Sequence, residues 1–344
     1  DEIIIMFANL FKKWNPSIYP GFTFAWADLI SSTYFMPHIL SSTNDHNTYE
    51  RWFKFQELLN ELFEFLKQNI YENCKSTPGL EKLFEGTLKL CLIILHDFPE
   101  FLCSYYFEFV NHIPLYHTCN LRNMILAAYP KDMRLPDPVH SIVDFPESRN
   151  IMPNDKQTRL ERYMTEEDYF PYKMALDNYL KMGDEKYLRV VCETLENSQV
   201  IRDHRKIVNT AIVHATLLYL TYDIEEKKTA VELEDTKLAQ KFKFMCQILE
   251  IPTRDILINC MFDELRLLNK TTVLFIHVLL ELFKTSGEDE MLRSQISRIL
   301  LERCRVQRIH PWGLLAFKSR IHREPEFIAI CSKQGIPIKP DSTS

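Results

Sequence analysis

Glycine is nearly missing from this chain: 7 of 344 residues, about 2% where an average protein has roughly 7%. Turns that cradle a phosphate need backbone conformations that only glycine adopts without strain. Neither GxGxxG nor GxxxxGKS/T occurs, so a dinucleotide-binding or P-loop enzyme is not expected.

Paired cysteine motifs, long apolar runs and a surplus of positive charge are lacking as well. The nine cysteines are an odd number and include no CxxC, which fits buried thiols in a reducing intracellular compartment better than a disulfide framework. Runs such as Val273–Leu280 (VLFIHVLL) are too short to cross a bilayer and contain a histidine. Asp1 and Glu2 precede the apolar stretch Ile3–Leu10, where a signal peptide would carry basic residues. No membrane partner is expected. A net charge of −6 and a pI near 6.0 give no overall attraction to nucleic acid. The first residue is not methionine, and the sequence reads as a piece of a longer polypeptide. What is present is ordinary globular material, 46% hydrophobic and 26% charged, enough for one large or two ordinary domains.

Almost every readable segment has helical period. Trp52, Phe55, Leu58, Leu59, Leu62, Phe63 and Leu66 make one apolar face between Thr48 and Asn69, with Glu57, Glu61, Glu64 and Lys67 elsewhere. Leu88–Leu95 is apolar all round and predicts a buried helix. Phe101–Val110, Ile207–Tyr222, Leu238–Leu249, Asp255–Leu268, Thr271–Lys284 and Glu290–Val306 predict further helices. Ser76–Gly79, Phe98–Pro99, Ile251–Pro252 and Ser286–Gly287 are the breaks between them. The stretch Ile224–Thr236 reads as an exposed loop, and no alternating run bounded by hairpin turns stands out. The expected fold is all-α: antiparallel helical hairpins stacked in a HEAT-like, solenoid-like array without a literal repeat. Its expected organisation is an N-terminal helical half over 1–140, a linker over 141–165 containing Pro146, Pro153 and the polar run Asn150–Asp155, a C-terminal half over 166–327, and a tail over 328–344.

Chemistry is hard to find. Cys103, His112, His117 and Cys119 are close in sequence, but their spacing matches no compact zinc pattern and their neighbours are apolar. Nothing has the local context of a nucleophile elbow or a thiol protease. Glu166–Asp168 and Glu288–Glu290 are adjacent acids in polar surroundings, and the second group opens a helix, where negative charge favours the dipole. No cofactor or metal is expected, and no enzyme. Arg298, Arg303, Arg305 and Arg308 cluster at the end of a predicted helix before His310-Pro311-Trp312. Cations there stabilise the helix C-terminus, and they also suit acidic partner residues or a phosphate backbone. A helical RNA-binding module built on Arg298–Arg308 is therefore the rival to a protein-binding role.

Two segments have distinctive architecture. In Tyr19–Leu40, Pro20-Gly21 turns the chain and Phe22, Trp26, Leu29 and Ile30 share a core-facing side, leaving Phe24, Tyr34 and Phe35 as candidates to line a groove. In Cys119–Pro138 (CNLRNMILAAYPKDMRLPDP), Asn120 can cap a short helix with Leu121, Met124, Ile125 and Ala128 on one face. Pro130, Pro136 and Pro138 then hold the exit extended, presenting Lys131, Asp132 and Arg134 on a rigid ledge.

These two segments, followed by Ile299–Leu315 (ILLERCRVQRIHPWGLL), resemble in order and spacing the C-terminal homology domain of the large Not-one scaffold subunit of the Ccr–Not messenger-RNA deadenylase complex. The resemblance covers roughly residues 1–327. It implies a HEAT-like helical domain without an active site, in the cytoplasm and the nucleus. It also implies docking of a heterodimer of two further Not-family subunits, service in mRNA deadenylation, decay and translational repression, and in some relatives capture of short linear motifs from RNA-bound repressors. The chain departs from the family where NKTT follows Leu267-Leu268 and where the polar Ile328–Ser344 follows Phe327. Phe22, Trp26, His310, Pro311, Trp312 and Gly313 are expected to be structural, with Trp312 anchoring the last helix pair. Lys131, Asp132, Arg134, Leu135, Arg305 and Arg308 are the expected partner contacts.

Overall fold

The structure is a computed structural model. It describes residues 2–41, 47–72, 77–115, 117–139, 156–202, 205–226, 231–285, 289–306 and 309–333. The chain divides into two compact units, Asp1–Arg134 with Val306–His310, and Leu135–Arg305 with Pro311–Ser344.

The first unit holds α1 (Glu2–Lys13), α2 (Thr23–Ile30), α3 (Met36–Leu40), α4 (Asn47–Glu72), α5 (Pro78–Asp97), α6 (Pro99–His112) and α7 (Cys119–Leu126). Helix α4 is its axis, contacted by α1, α3, α5 and α6. The predicted stripe explains this: Trp52, Phe55, Leu58, Leu59, Leu62, Phe63 and Leu66 are all buried. Each such side chain contributes about 1.5–3 kcal/mol on removal from water. Short breaks set the antiparallel hairpins. Phe98 ends α5 by donating its N–H to Ile94 O at 2.8 Å, and Pro99 opens α6 at once.

The second unit holds α8 (Lys156–Tyr163), α9 (Glu166–Met182), α10 (Glu185–Asn197), a hairpin of β1 (Gln199–Arg202) and β2 (Arg205–Val208), α11 (Thr210–Glu226), α12 (Val231–Ile248), α13 (Ile251–Asp263), α14 (Lys270–Thr285), α15 (Glu290–Cys304), α16 (Trp312–Ile321) and α17 (Pro325–Lys333). Neighbouring helices pair as α9 with α10, α12 with α14, and α13 with α11 and α15. Thr165 caps α9, its Oγ1 accepting from Asp168 N at 3.3 Å and donating to the Asp168 carboxylate at 2.7 Å. Gly183 closes α9 in the left-handed region at φ 69°. The acids Glu166–Asp168 are thus the first turn of a helix. Asp289 does the same for α15, accepting from Leu292 N at 3.0 Å.

The fold is all-α with HEAT-like helical hairpins, as the period predicts, and several local readings change. The hairpin pairs Gln199 with Val208 and Arg202 with Arg205 in antiparallel register, so α11 starts at Thr210 and not at Ile207. Four-residue strands are too short to show alternation above the helical background. The predicted loop Ile224–Thr236 is largely the end of α11 and the start of α12. Helix α8 lies within the predicted 141–165 linker, whose residues 141–155 fall outside the described residues, as do 334–344 of the predicted tail. Helix α5 is not buried all round, since Leu92 and Ile93 are each 46% exposed. An all-apolar segment does not say which side its neighbours will cover.

Among the described residues eight cysteines are free thiols, most of them buried. Burial pushes the thiols of Cys91 and Cys246 up to about 12 and removes the thiolate that alkylating reagents need. Folded protein treated with iodoacetamide near pH ~8 is expected to leave both unmodified until urea unfolds it. Stoichiometric labelling of either in the native state, read by peptide mass spectrometry, would contradict this burial.

Candidate partner-docking surface

Helix α7 positions the ledge. Its N-cap is Thr118, not Asn120: Asn120 Oδ1 accepts from the adjacent Leu121 N–H, at 2.9 Å. The helix is buried on more than one face, because Arg122 and Asn123 join Leu121, Met124, Ile125 and Leu126 inside. Arg122 Nη2 donates to Val110 O at 2.9 Å and to Ile113 O at 3.3 Å, satisfying carbonyls at the end of α6. Sequence reasoning missed this role. Its signal was a lone cation inside an apolar helix.

Beyond α7 the chain turns at Pro130, where Met133 N donates to Pro130 O at 3.0 Å. Lys131 is tied to the α5–α6 corner: its N–H donates to Glu100 Oε1 at 3.0 Å and its Nζ to Asp97 O at 2.6 Å. Lys131, Asp132 and Arg134 are exposed and adjacent, as expected, beside the 42%-exposed Tyr129. In the second unit Leu135 is half-buried, and Trp312 Nε1 donates to Pro136 O at 2.7 Å. Trp312 is buried and holds the proline exit across 176 positions of sequence, a partner that no local pattern reveals. Gly313 N donates to Arg266 O at 2.6 Å.

The arginine cluster comes apart. Arg298 pairs with Asp255 and, at 2.9 Å, with Glu302. Arg303 is buried against Asp263 at 2.8 Å and donates to Asn259 O at 3.1 Å. Asp255, Asn259 and Asp263 are spaced by one turn along α13, so α13 and α15 are joined by a polar seam. Arg305 is exposed just past α15, and Arg308 lies outside the described residues. Two of the four cations are therefore structural.

In Tyr19–Leu40, Trp26 and Ile30 are core, whereas Leu29 is 40% exposed. Phe24 and Tyr34 are exposed, but Phe35 is buried, its ring 5.1 Å from Phe11 and 6.3 Å from Phe55. Helix α1 presents a second apolar side of Ile3, Met6, Phe7 and Leu10 at i, i+3, i+4 and i+7. Among the described residues no group of three metal-ligating side chains gathers, and no helix is long and apolar enough to cross a membrane.

Antiparallel helical hairpins with an exposed ledge and apolar helix sides define an all-α, HEAT-like helical domain. The sequence model described as "CCR4-Not complex component, Not1" matches residues 1–330. The chain belongs to the Not1 family of CCR4-Not complex components. It is 30% identical over 346 aligned positions to the CCR4-NOT transcription complex subunit let-711 of Caenorhabditis elegans, covering 95% of this chain and 12% of that protein. It is 28% identical to the General negative regulator of transcription subunit 1 of Schizosaccharomyces pombe, covering 91% of this chain and 15% of that protein. The chain thus spans a small part of these relatives' length. Two solved structures share the fold. The Not1 C-terminal domain in complex with Not4 has a TM-score of 0.78 at 24% identity, covering 96% of this chain and 68% of that one. The NOT1 superfamily homology domain from Chaetomium thermophilum has a TM-score of 0.78 at 22% identity, covering 95% and 65%.

Proposed function

We propose that this domain is a non-catalytic docking platform of the CCR4-Not scaffold that holds two other Not-family subunits as a heterodimer. Through them it serves mRNA deadenylation, decay and translational repression, in the cytoplasm and the nucleus, and it accepts short linear motifs from RNA-bound repressors. The observation that carries the reading is the family match over residues 1–330, which spans both units. A similar fold in complex with Not4 supports it, as do exposed ledges and apolar helix sides of the kind that receive extended chains and amphipathic helices. Organisation into halves 1–140 and 166–327 around a 141–165 segment is part of the proposal. So are partner contacts by Lys131, Asp132, Arg134, Leu135, Arg305 and Arg308. The rival RNA-binding module is less favoured, because Arg298 and Arg303 already pair with Asp255 and Asp263.

Affinity capture of the tagged chain from its own cells, with mass spectrometry, is expected to recover Not-family subunits. A Lys131→Glu/Arg134→Glu double variant is expected to bind them about tenfold more weakly, with only a small loss of thermal stability from the exposed Lys131 Nζ–Asp97 O bond. Recovery of no Not subunit by the unaltered chain would sink the docking reading. Undiminished binding by the double variant would remove the ledge from it.

A further inference from the structure

Four buried arginines are each held by at least one acceptor. Arg51 donates to Ser41 O at 3.0 Å, Arg122 to Val110 O, Arg254 to Cys246 O at 3.3 Å, and Arg303 to Asn259 O while facing Asp263. Arg320, near the end of α16, differs. It is half-buried, and its Nη1 is buried with no acceptor among the described residues. Glu324 stands at i+4, where a counter-ion commonly sits, but its carboxylate is 3.0 Å from Lys284 Nζ. The group that does act on Arg320 is another cation, the exposed Arg323 one turn on. Desolvation first, and repulsion by Arg323 second, hold the Arg320 guanidinium below the ordinary arginine range. A half-buried cation beside a second cation is a costly arrangement for a free protein, and an arriving anion relieves it.

We propose that Arg320 and Arg323 form a binding site for a carboxylate on an acidic segment of a partner protein. Two guanidinium groups suit one planar carboxylate. A nucleic-acid strand instead needs a run of cations following successive phosphates, and neither the dispersed arginines of α15 nor the net charge of −6 supplies one. The inference rests on the docking role proposed above, and it adds a chemistry and a place to that role.

The test uses the intact chain with acetylated hexaglutamate as the acidic probe and a single-stranded oligouridylate as the nucleic-acid probe. Binding is read by fluorescence anisotropy at low salt. Hexaglutamate is expected to bind the unaltered chain, with affinity falling about tenfold in Arg320→Gln and in Arg323→Gln and unchanged in Lys333→Gln. Free Arg320→Gln is expected to melt about 2 °C higher, since an unpaired charge is gone. Equal hexaglutamate binding by Arg320→Gln overturns the site. So does a lower melting temperature of that variant, which would reveal an internal partner. Arginine-dependent binding of oligouridylate without hexaglutamate overturns it as a protein-binding site. Arginine-dependent hexaglutamate binding without capture of any Not subunit upholds the site and sinks the docking role. Intact capture with equal hexaglutamate binding does the reverse.

Discussion

Arg303→Met is expected to lower the unfolding free energy by about 3–5 kcal/mol, the range for removing one partner of a buried ion pair. The Asp263 carboxylate is 1% exposed, and the Arg303 guanidinium at 2.8 Å is its ion-pair partner. The same guanidinium donates to Asn259 O at 3.1 Å and to Asn259 Oδ1 at 3.2 Å, and it lies 5.6 Å from the centre of the Phe262 ring. Methionine matches the length but returns none of these bonds, so a charge is left in a place that water does not reach. The companion experiment removes that charge too. Arg303→Met with Asp263→Leu is expected to recover at least about half of the loss, because an apolar pair of similar volume is often neutral in place of a buried ion pair. Urea unfolding followed by circular dichroism measures both. A single-variant loss under about 1 kcal/mol would mean that the pair is solvated and that the seam between α13 and α15 contributes little.

Arg303 also shows what a sequence can and cannot disclose. Read locally, it is a cation in the last turn of a helix, which has a sufficient physical cause in the helix dipole. Its actual partner is 40 positions earlier on α13, and no periodicity links the two. The α4 stripe is the opposite case. Seven apolar residues at helical spacing announce one face, and that face is buried in full because it only had to find some apolar neighbour. Leu92 and Ile93 mark the limit of that logic: α5 is apolar around its circumference there, and its neighbours chose one side. The candidate surface divides in the same way. Proline stiffness made the ledge at Lys131–Arg134 readable, since it is a backbone property of the residues themselves. The bond from Trp312 to Pro136 O and the orphaned Nη1 of Arg320 are tertiary facts, and they had no local signature.

Gly313→Ala is expected to destabilise the second unit by about 3 kcal/mol, at the upper end for overpacking. A Cβ at this position would stand 2.7 Å from Leu265 C, 3.0 Å from Leu265 Cα and 2.5 Å from Thr272 Cγ2. The first two are backbone and cannot swing away. Thr272 is held as well, since its Oγ1 donates to Glu264 O at 2.9 Å and its N–H donates to Asn269 Oδ1 at 2.7 Å. The close approach brings Gly313 N within 2.6 Å of Arg266 O, so a methyl group that forces the chains apart also stretches this bond. Trp312 is the adjacent residue, and its Nε1–Pro136 contact at 2.7 Å depends on where α16 begins. The control is the same substitution at Gly86. That glycine is in the middle of α5 and exposed, with nothing within 4 Å of the added Cβ. Gly86→Ala is expected to stabilise by about 0.5–1 kcal/mol through helix propensity alone. Thermal unfolding of the two variants should therefore shift in opposite directions. A Gly313→Ala melting temperature equal to that of the unaltered chain would show that α16 can slide on the turn after α13. In that case Trp312 does not fix the proline exit at Pro136, and the proposed platform loses rigidity beside Leu135, where a partner is proposed to rest.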